Sequence, residues 1–238
     1  MKLKNLTLAL LVSAAALTGF AGEHNQLAES EKKQGWKLLF DGKTTTGWRN
    51  FKKSTFPEKG WVVENGVLKH VHGAGGGDIM TEETFDQFEL SWEWSIPKGA
   101  NNGIKYFITE ERGSAIGHEY QMIDDLHGED TKNPKHKTAS FYDVLPPKDH
   151  KPLKGPGEWN HSRVLVQGSR VEHWLNGEKV LEYELGSPEV KAAIAQSKFK
   201  SVPGFGSRVK GHILLTDHKD EASFRNIKIR DLNSAPKE

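Results

Sequence analysis

The chain has 238 residues, with 33 Lys and Arg against 32 Asp and Glu, and a formal net charge of +1. A balance this close to neutrality gives no electrostatic reason to expect a nucleic acid or an anionic membrane as partner. The chain contains no cysteine, which excludes disulfides, thiol nucleophiles and cysteine-ligated zinc, and its length suits one large all-β domain.

The first 21 residues have the pattern of a secretory signal peptide. Two lysines open the segment, an apolar run follows from Leu6 to Leu17, and cleavage is predicted near Ala21. We therefore predict an exported protein, periplasmic or secreted, with no membrane span once residues 1–21 are removed. The polar residues 22–34 lack periodicity and are predicted to form a flexible lead-in.

Most of the remaining chain is predicted to form short β-strands, one of them at Thr138–Leu145. Strict alternation of apolar and polar residues from Phe88 to Ile96 predicts a half-buried antiparallel strand. The pairs Asn65-Gly66 and Asn176-Gly177 each stand between two strand-like runs and predict hairpins with type I′ turns.

Only one helix is predicted. Ser187 suits an N-cap and Pro188 suits the first helical position, so a short helix should follow them and end near Lys198. About a dozen strands and one short helix predict an all-β sandwich of two antiparallel sheets. We place it in a single domain, residues 35–232, followed by a tail at 233–238.

The stretch from Gly117 to Asp125 carries the main candidates for chemistry. Strand alternation places Glu119 and Gln121 on one face and Tyr120 on the other. The spacing of Glu119, Gln121 and Asp124 resembles the acidic strand of jelly-roll glucanases, in which a bulge returns the third carboxylate to the first face. Gln121 replaces the central carboxylate of that pattern, which argues against a conventional nucleophile pair. A solvated polar face is the alternative.

Other side chains could supply a metal site or further catalytic groups. Asp124, Asp125 and His127 are candidate ligands for a divalent metal, although a solvated turn is favoured when they are taken alone. His218 is a candidate proton shuttle in a turn after an apolar strand. Lys105 could stabilise an oxyanion. For His218 and Lys105, too, a solvated position is the alternative.

Tryptophans are candidates for stacking on sugar rings. Trp92, Trp94, Trp159 and Trp174 are considered for this role, although most tryptophans of such a domain belong to its core. We take Trp159 as the substrate-binding candidate among them.

The chain resembles the 3-keto-disaccharide hydrolase family in a series of motifs that follow the family's order. The motifs are Gly35–Lys43 with Gly47-Trp48, Asn101–Tyr106, His118–Asp125, Gly157–Asn160, Trp174–Gly177, Leu215–His218 and Phe224–Ile227. The resemblance covers residues 35–232, and several motifs in order are more specific than any one. Asn102 stands where the family usually has Ser, and Thr216 where it usually has Gln. We expect both to lie by the cleft and to alter substrate preference.

The resemblance implies a concanavalin-like jelly roll that acts on glycosides already oxidised at C3. A ketone at C3 acidifies the C2 hydrogen, so that a base can remove it, the aglycone can leave C1, and water can add to the unsaturated sugar. We predict Glu119 or Asp124 as the base and His218 as the acid. The enolate would be stabilised by Lys105 or by a divalent metal. Three further side chains are predicted to hold the sugar hydroxyls: Gln121, Asn101 and Tyr142.

Two other functions remain open. One is a carbohydrate-binding module on the same sandwich, which would convert nothing; the other is a conventional glucanase-like glycosidase. An enzyme needs Glu119, Asp124 and His218 to converge, whereas a binding module does not. A conventional glycosidase needs two carboxylates at a fixed separation. A carbohydrate is the expected partner in every case, while the glycan, its linkage and the oligomeric state stay open.

Overall fold

The structure, a computed structural model, describes residues 24–233. The predicted signal peptide and the chain beyond residue 233 lie outside the described residues. Within the described part, no helix is long and apolar enough to cross a membrane.

Thirteen strands and two α-helices make up the described chain. In chain order they are α1 (Glu29–Lys33), β1 (Trp36–Leu38), β2 (Trp48–Asn50), β3 (Trp61–Glu64), β4 (Val67–His70), β5 (Ile79–Thr81), β6 (Phe88–Ser95), β7 (Asn101–Ile108), β8 (His118–Ile123), β9 (Asn160–Gln167), β10 (Arg170–Leu175), β11 (Glu178–Glu184), α2 (Pro188–Ala195), β12 (His212–Leu215) and β13 (Ala222–Asp231). Two short 3₁₀ helices lie at Glu110–Arg112 and Pro134–His136.

The strands form two antiparallel sheets, which confirms the predicted all-β jelly-roll sandwich. The larger sheet has the order β11-β10-β9-β6-β13-β4-β3, with β1 also paired to β13. The smaller sheet has the order β2-β5-β12-β7-β8. Both predicted Asn-Gly turns join neighbouring strands of the larger sheet, β3 to β4 and β10 to β11, and all four turn residues have positive φ, as type I′ turns require.

The core lies between the sheets, and β6 shows how the sequence builds it. Its alternation points Phe88, Leu90 and Trp92 inward, where none is exposed to solvent. Glu89 points outward but is also buried, because β6 is a central strand and the Glu89 carboxylate forms ion pairs with Arg163 and Arg230. Burial of apolar side chains on the inner face thus supplies the main stabilisation. Ion pairs compensate the buried charge on the outer face.

A hydrogen-bonded group of aromatic residues lies inside the core. The Tyr106 hydroxyl is 2.9 Å from His173 Nε2 and 2.7 Å from the Tyr183 hydroxyl. Burial lowers the pKa of His173 to about 4 and that of His118, on β8, to about 3. Both imidazoles are therefore neutral near pH 7, which spares the core the cost of a desolvated charge.

Residues 22–34 were predicted to form a flexible lead-in. In the structure, residues 24–34 are instead folded onto the domain. They contain α1, a second α-helix that the sequence did not predict. Asn25 is buried, its side-chain amide donates to the Gly66 carbonyl at 2.8 Å, and its Oδ1 accepts from Asn226 N at 2.8 Å. Periodicity missed this segment because polar hydrogen bonds, not an apolar face, hold it in place.

The helix α2 begins as predicted and ends earlier than predicted. Ser187 Oγ accepts from Val190 N at 3.2 Å, which confirms the N-cap, and Pro188 is the first residue of the helix. The predicted end was near Lys198, whereas the helix ends at Ala195. Lys198 therefore lies beyond the helix in irregular chain.

Strand β8 lies at the edge of the smaller sheet and is covered by residues 138–142. Ala139 N donates to the Gln121 carbonyl at 2.8 Å, and Tyr142 N donates to the Glu119 carbonyl at 3.1 Å. We predicted a strand here, but the segment forms only isolated bridges. Positive φ at Ala139 and Asp143 interrupts the extended conformation.

Candidate functional site

Strands β7 and β8 present their polar side chains on the outer face of the smaller sheet. Lys105 pairs with Glu119, and Gly103 pairs with Gln121, in the antiparallel register. A Cβ placed on Gly103 would lie 2.2 Å from Glu119 Oε1. The missing side chain of Gly103 therefore leaves room for the carboxylate to lie across β7.

The side chain of Glu119 lines a cavity of about 290 Å³. The lining residues are Lys105, Ala115, Ile116, Gly117, Glu119, Lys198, Phe199 and Val202. Glu119 is the one carboxylate in this lining, and it shares the cavity with two lysines. Among residues 24–233, no hydrogen bond or ion pair engages its side-chain oxygens, so the carboxylate is free to accept a proton.

The chain that follows α2 forms one wall of the cavity. The Phe199 and Phe205 rings stack at 4.2 Å between centroids and hold this wall against the domain. Lys198 N donates to Asp143 Oδ2 at 2.7 Å, and its Nζ lies 4.2 Å from the centre of the Tyr142 ring. Although the residue as a whole is exposed, partial burial of the ammonium lowers the pKa of Lys198.

Tyr142 lies behind this wall with its hydroxyl protonated. Burial first, and then the negative charges of Glu119, Asp130 and Asp143, raise its pKa to about 12. The ring packs on the imidazole of His136 at 4.7 Å between centroids. The hydroxyl is therefore a hydrogen-bond donor throughout the neutral range.

The predicted amide ligands lie next to Glu119. Gln121 Nε2 donates to Asn101 Oδ1 at 3.2 Å, and Asn101 N donates to Asp220 Oδ2 at 2.9 Å. Gln121 is almost completely buried, while Asn101 is partly exposed. Strand alternation predicted one face for Glu119 and Gln121, and the pairing of β7 with β8 brings Asn101 and Lys105 to the same face.

Asp124 does not join this group. Its carboxylate accepts hydrogen bonds from the backbone of Gly99 at 2.9 Å and of Leu126 at 3.0 Å, and it contacts His127 Nδ1 at 2.9 Å. Burial raises the pKa of Asp124, but these hydrogen bonds outweigh it and hold the pKa below its usual value. Asp124 lines a separate, largely apolar cavity of about 250 Å³ beside Trp94. It therefore caps a turn.

The proposed metal ligands are engaged elsewhere. Asp125 Oδ2 lies 2.5 Å from Lys151 Nζ, and Asp125 Oδ1 accepts from Thr138 N at 2.8 Å. His127 is bound to Asp124. In the described chain, no group of three histidine or carboxylate side chains is arranged to hold a metal ion. The three candidates therefore do not form the predicted site.

Two predicted site residues lie outside the cavity. His218 is exposed in the turn after β12 and does not line the cavity of Glu119. Trp159 precedes β9 of the larger sheet, and its ring lies 3.9 Å from the guanidinium carbon of Arg225. Trp159 therefore belongs to the other sheet and packs on an arginine.

The two departures from the family pattern contact each other. Asn102 Nδ2 donates to the Thr216 carbonyl at 3.0 Å, and Thr216 Oγ1 accepts from Gly103 N at 3.0 Å. Both side chains are buried, with exposed fractions of 0% and 3%. We expected them to lie by the cleft, and the structure places both side chains in the interior directly beside Gly103, the residue that leaves room for the Glu119 carboxylate.

Sequence reasoning missed Lys198, His136 and Asp143. Lys198 was assigned to a helix whose end could not be located from propensity alone. His136 Nε2 lies 2.8 Å from Asp143 Oδ1, and these residues flank the 138–142 segment. The positive φ of Asp143, 62°, is a backbone signal that only the structure reveals.

The chain is similar to proteins of a known family. A family model described as a 3-keto-alpha-glucoside-1,2-lyase-like domain matches residues 35–230. A 3-keto-disaccharide hydrolase of Bacteroides thetaiotaomicron is 34% identical, with 90% of this chain and 84% of the relative covered.

Two crystal structures of candidate glycosyl hydrolases from Parabacteroides distasonis are also similar. The first is 35% identical with a TM-score of 0.79, over 88% of this chain and 100% of the other. The second is 30% identical with a TM-score of 0.66, over 83% of this chain and 99% of the other.

Proposed function

This chain belongs to the 3-keto-disaccharide hydrolase family, and we propose that it cleaves glycosidic bonds of sugars that already carry a ketone at C3. Membership of the family makes it a hydrolase of glycosidic bonds. The requirement for the ketone, and an elimination followed by hydration, are the finer parts of the proposal.

One observation supports the keto-dependent chemistry most directly: the cavity holds one carboxylate and two ammonium groups. A conventional retaining or inverting glycosidase uses two carboxyl groups on either side of the bond it cleaves. Elimination from a 3-keto sugar needs one base and a cation for the enolate oxygen. Glu119 and Lys105, side by side on β8 and β7, match that requirement.

In the proposed mechanism, Glu119 removes the proton from C2. The electron pair of that C–H bond enters the enolate, whose oxygen at C3 is stabilised by the ammonium of Lys105. The enolate then expels the aglycone from C1, and water adds across the resulting C1–C2 double bond. The amide of Asn101 and the hydroxyl of Tyr142 would bind the sugar hydroxyls, and Gln121 would hold Asn101 in place.

An assay with a 3-keto-β-glucoside carrying a chromogenic aglycone, beside its unoxidised parent, tests the proposal. We expect release from the keto form alone. Release from the unoxidised parent would point to conventional glycosidase chemistry. Release from neither substrate, with sugar binding still measurable by calorimetry, would point to a carbohydrate-binding module.

We also propose that the protein is exported, on the basis of the lysines and the apolar run of residues 1–21. Cell fractionation of a host that expresses the full chain, with N-terminal sequencing of the product, tests this. A product that begins near Gly22 in the periplasm or the medium is expected. A cytoplasmic product that retains Met1 would contradict it.

A further inference from the structure

We propose that Lys198 is a further catalytic residue, the acid that gives a proton to the leaving oxygen at C1. This rests on the proposed function, because an acid for the aglycone is needed only if the chain breaks the glycosidic bond. The sequence had assigned that task to His218.

The geometry separates the two lysines of the cavity. Lys105 extends from β7 next to Glu119, in the floor that the sheet provides. Lys198 belongs to the wall that follows α2, a different part of the chain, and it lines the same cavity. A sugar bound between floor and wall would have the base and one cation on the floor and a second donor on the wall. Elimination requires such a second donor, because the bond to the aglycone breaks at C1 while the proton leaves C2.

Lys198 is held in place by its backbone and by its neighbours. Its N–H donates to Asp143 Oδ2 at 2.7 Å, which is possible because α2 has already ended and no helical carbonyl takes that N–H. Asp143 Oδ1 in turn lies 2.8 Å from His136 Nε2. The ammonium lies over the Tyr142 ring and 5.2 Å from the centre of the Phe199 ring. A donor fixed in this way loses little entropy when the substrate binds.

The surroundings of Lys198 favour its role as a general acid. Burial lowers the pKa of Lys198, and the positive charge of Lys105 acts in the same direction. The negative charges of Glu119, Asp143 and Asp130 act in the opposite direction but do not cancel the effect. A lysine with a lowered pKa gives up its proton more readily, as a general acid near neutral pH must.

The proton balance closes over the two steps. In the elimination, Glu119 gains the proton of C2, the C1–O bond breaks, and Lys198 gives its proton to the departing aglycone oxygen. In the hydration, the neutral Lys198 takes a proton from water, the hydroxide adds to C1, and Glu119 returns its proton to C2. The net reaction consumes one water, releases the aglycone alcohol and the 3-keto sugar, and restores both side chains.

The test is the dependence of the rate on the leaving group. Keto glucosides with a 4-nitrophenyl, a phenyl and a methyl aglycone are compared for the wild type, Lys198→Met and Lys198→Arg. A nitrophenolate leaves without a proton, whereas methoxide does not. Aglycone release in a single turnover reports the elimination alone, before hydration. We therefore expect its rate in both variants to fall by about 10²–10⁴-fold on the methyl glycoside and only a few-fold on the nitrophenyl glycoside. Arginine keeps the charge but does not release a proton at accessible pH.

Lys200→Met is the matched control, because Lys200 is exposed, lies two residues further along, and does not line the cavity. It should behave as the wild type on every substrate, and circular dichroism should show all variants folded. Equal losses of the Lys198 variants on all three aglycones would assign Lys198 to the enolate and overturn the inference. No loss, or a leaving-group effect found with His218→Ala instead, would also overturn it. A wild type inactive on all keto substrates would overturn the proposed function itself.

Discussion

Glu119 and Asp124, two carboxylates five residues apart, were predicted from the sequence to share one site. The structure places them in two separate cavities. Asp124 is 6% exposed. Within its turn, its oxygens accept from the backbone N–H groups of Leu126 and His127 and contact the His127 ring, and they also accept from Gly99 N of the preceding loop. Glu119 is partly exposed and lines a cavity that it shares with two lysines. The first carboxylate is a structural acceptor, and the second is available to a substrate.

The role of a carboxylate follows from the hydrogen-bond donors around it rather than from its spacing in the sequence. Backbone N–H groups that point at Asp124 stabilise its charged form and lower its affinity for a proton, which makes it a poor base. Glu119 receives no such hydrogen bonds in the described chain. The neighbouring ammonium groups supply charge without occupying its lone pairs.

The largest effect is expected from Glu119→Gln. The amide keeps the shape of the side chain but cannot take a proton from C2, so kcat/KM on a 3-keto glucoside should fall by about 10²–10⁴-fold. The melting temperature should change little, because the carboxylate makes no hydrogen bond or ion pair with the rest of residues 24–233. Glu111→Gln, at an exposed position, is the control for the loss of an acid. Full turnover by Glu119→Gln would place the base elsewhere.

Lys151→Met should affect stability instead of catalysis. The Lys151 ammonium and the Asp125 carboxylate are 2.5 Å apart, with side-chain exposures of 5% and 12%. Removing one partner leaves a buried charge, which should cost about 3–5 kcal/mol of unfolding free energy. Urea unfolding measures this loss, and kcat per folded molecule should be unchanged. A large fall in kcat without loss of stability would instead support the candidate role of Asp125 as a metal ligand.

Asp124→Asn should cost about 1–3 kcal/mol of stability, because the amide replaces one acceptor oxygen by a donor facing N–H groups. The folded pKa of Asp124 is lowered, so its contribution is present above the unfolded pKa of about 3.9 and is lost as the pH falls through the folded value. The wild type should therefore lose stability on acidification more steeply than the variant. Parallel pH profiles of the two melting temperatures would contradict this assignment.

The smallest effect is expected from Gly103→Ala. The new Cβ would meet the far end of the flexible Glu119 side chain, so the fold should survive while the carboxylate moves. We expect kcat to fall about tenfold with little change in melting temperature, since a base displaced by about an ångström loses alignment. Unchanged kcat would show that the carboxylate does not act from its position over Gly103.

Local patterns predicted the elements that local forces determine. The alternation of β6, the two Asn-Gly turns and the Ser187 cap each depend on a few consecutive residues, and each is present. The placement of Glu119 beside Lys105 also follows from strand alternation once β7 and β8 pair.

The remaining features depend on contacts between distant parts of the chain. The donor that removes Asp124 from the site, Gly99, lies 25 residues before it. The acceptor that orients Lys198, Asp143, lies 55 residues before it. Trp159 is a residue type that often stacks on sugar rings, but its ring packs on Arg225 of another strand. A single sequence contains no periodicity that reports such pairs.

The cover over β8 has a consequence for the behaviour of the protein in a concentrated solution. β8 ends the smaller sheet, and a bare edge would offer a row of unpaired N–H and C=O groups to a second molecule. Residues 138–142 occupy that row at Glu119 and Gln121, and the same segment carries Tyr142. Residues 138–142 therefore block strand addition by a second molecule and also form the back of the candidate site. Loop exchanges made there to change specificity should be screened for aggregation as well as for activity.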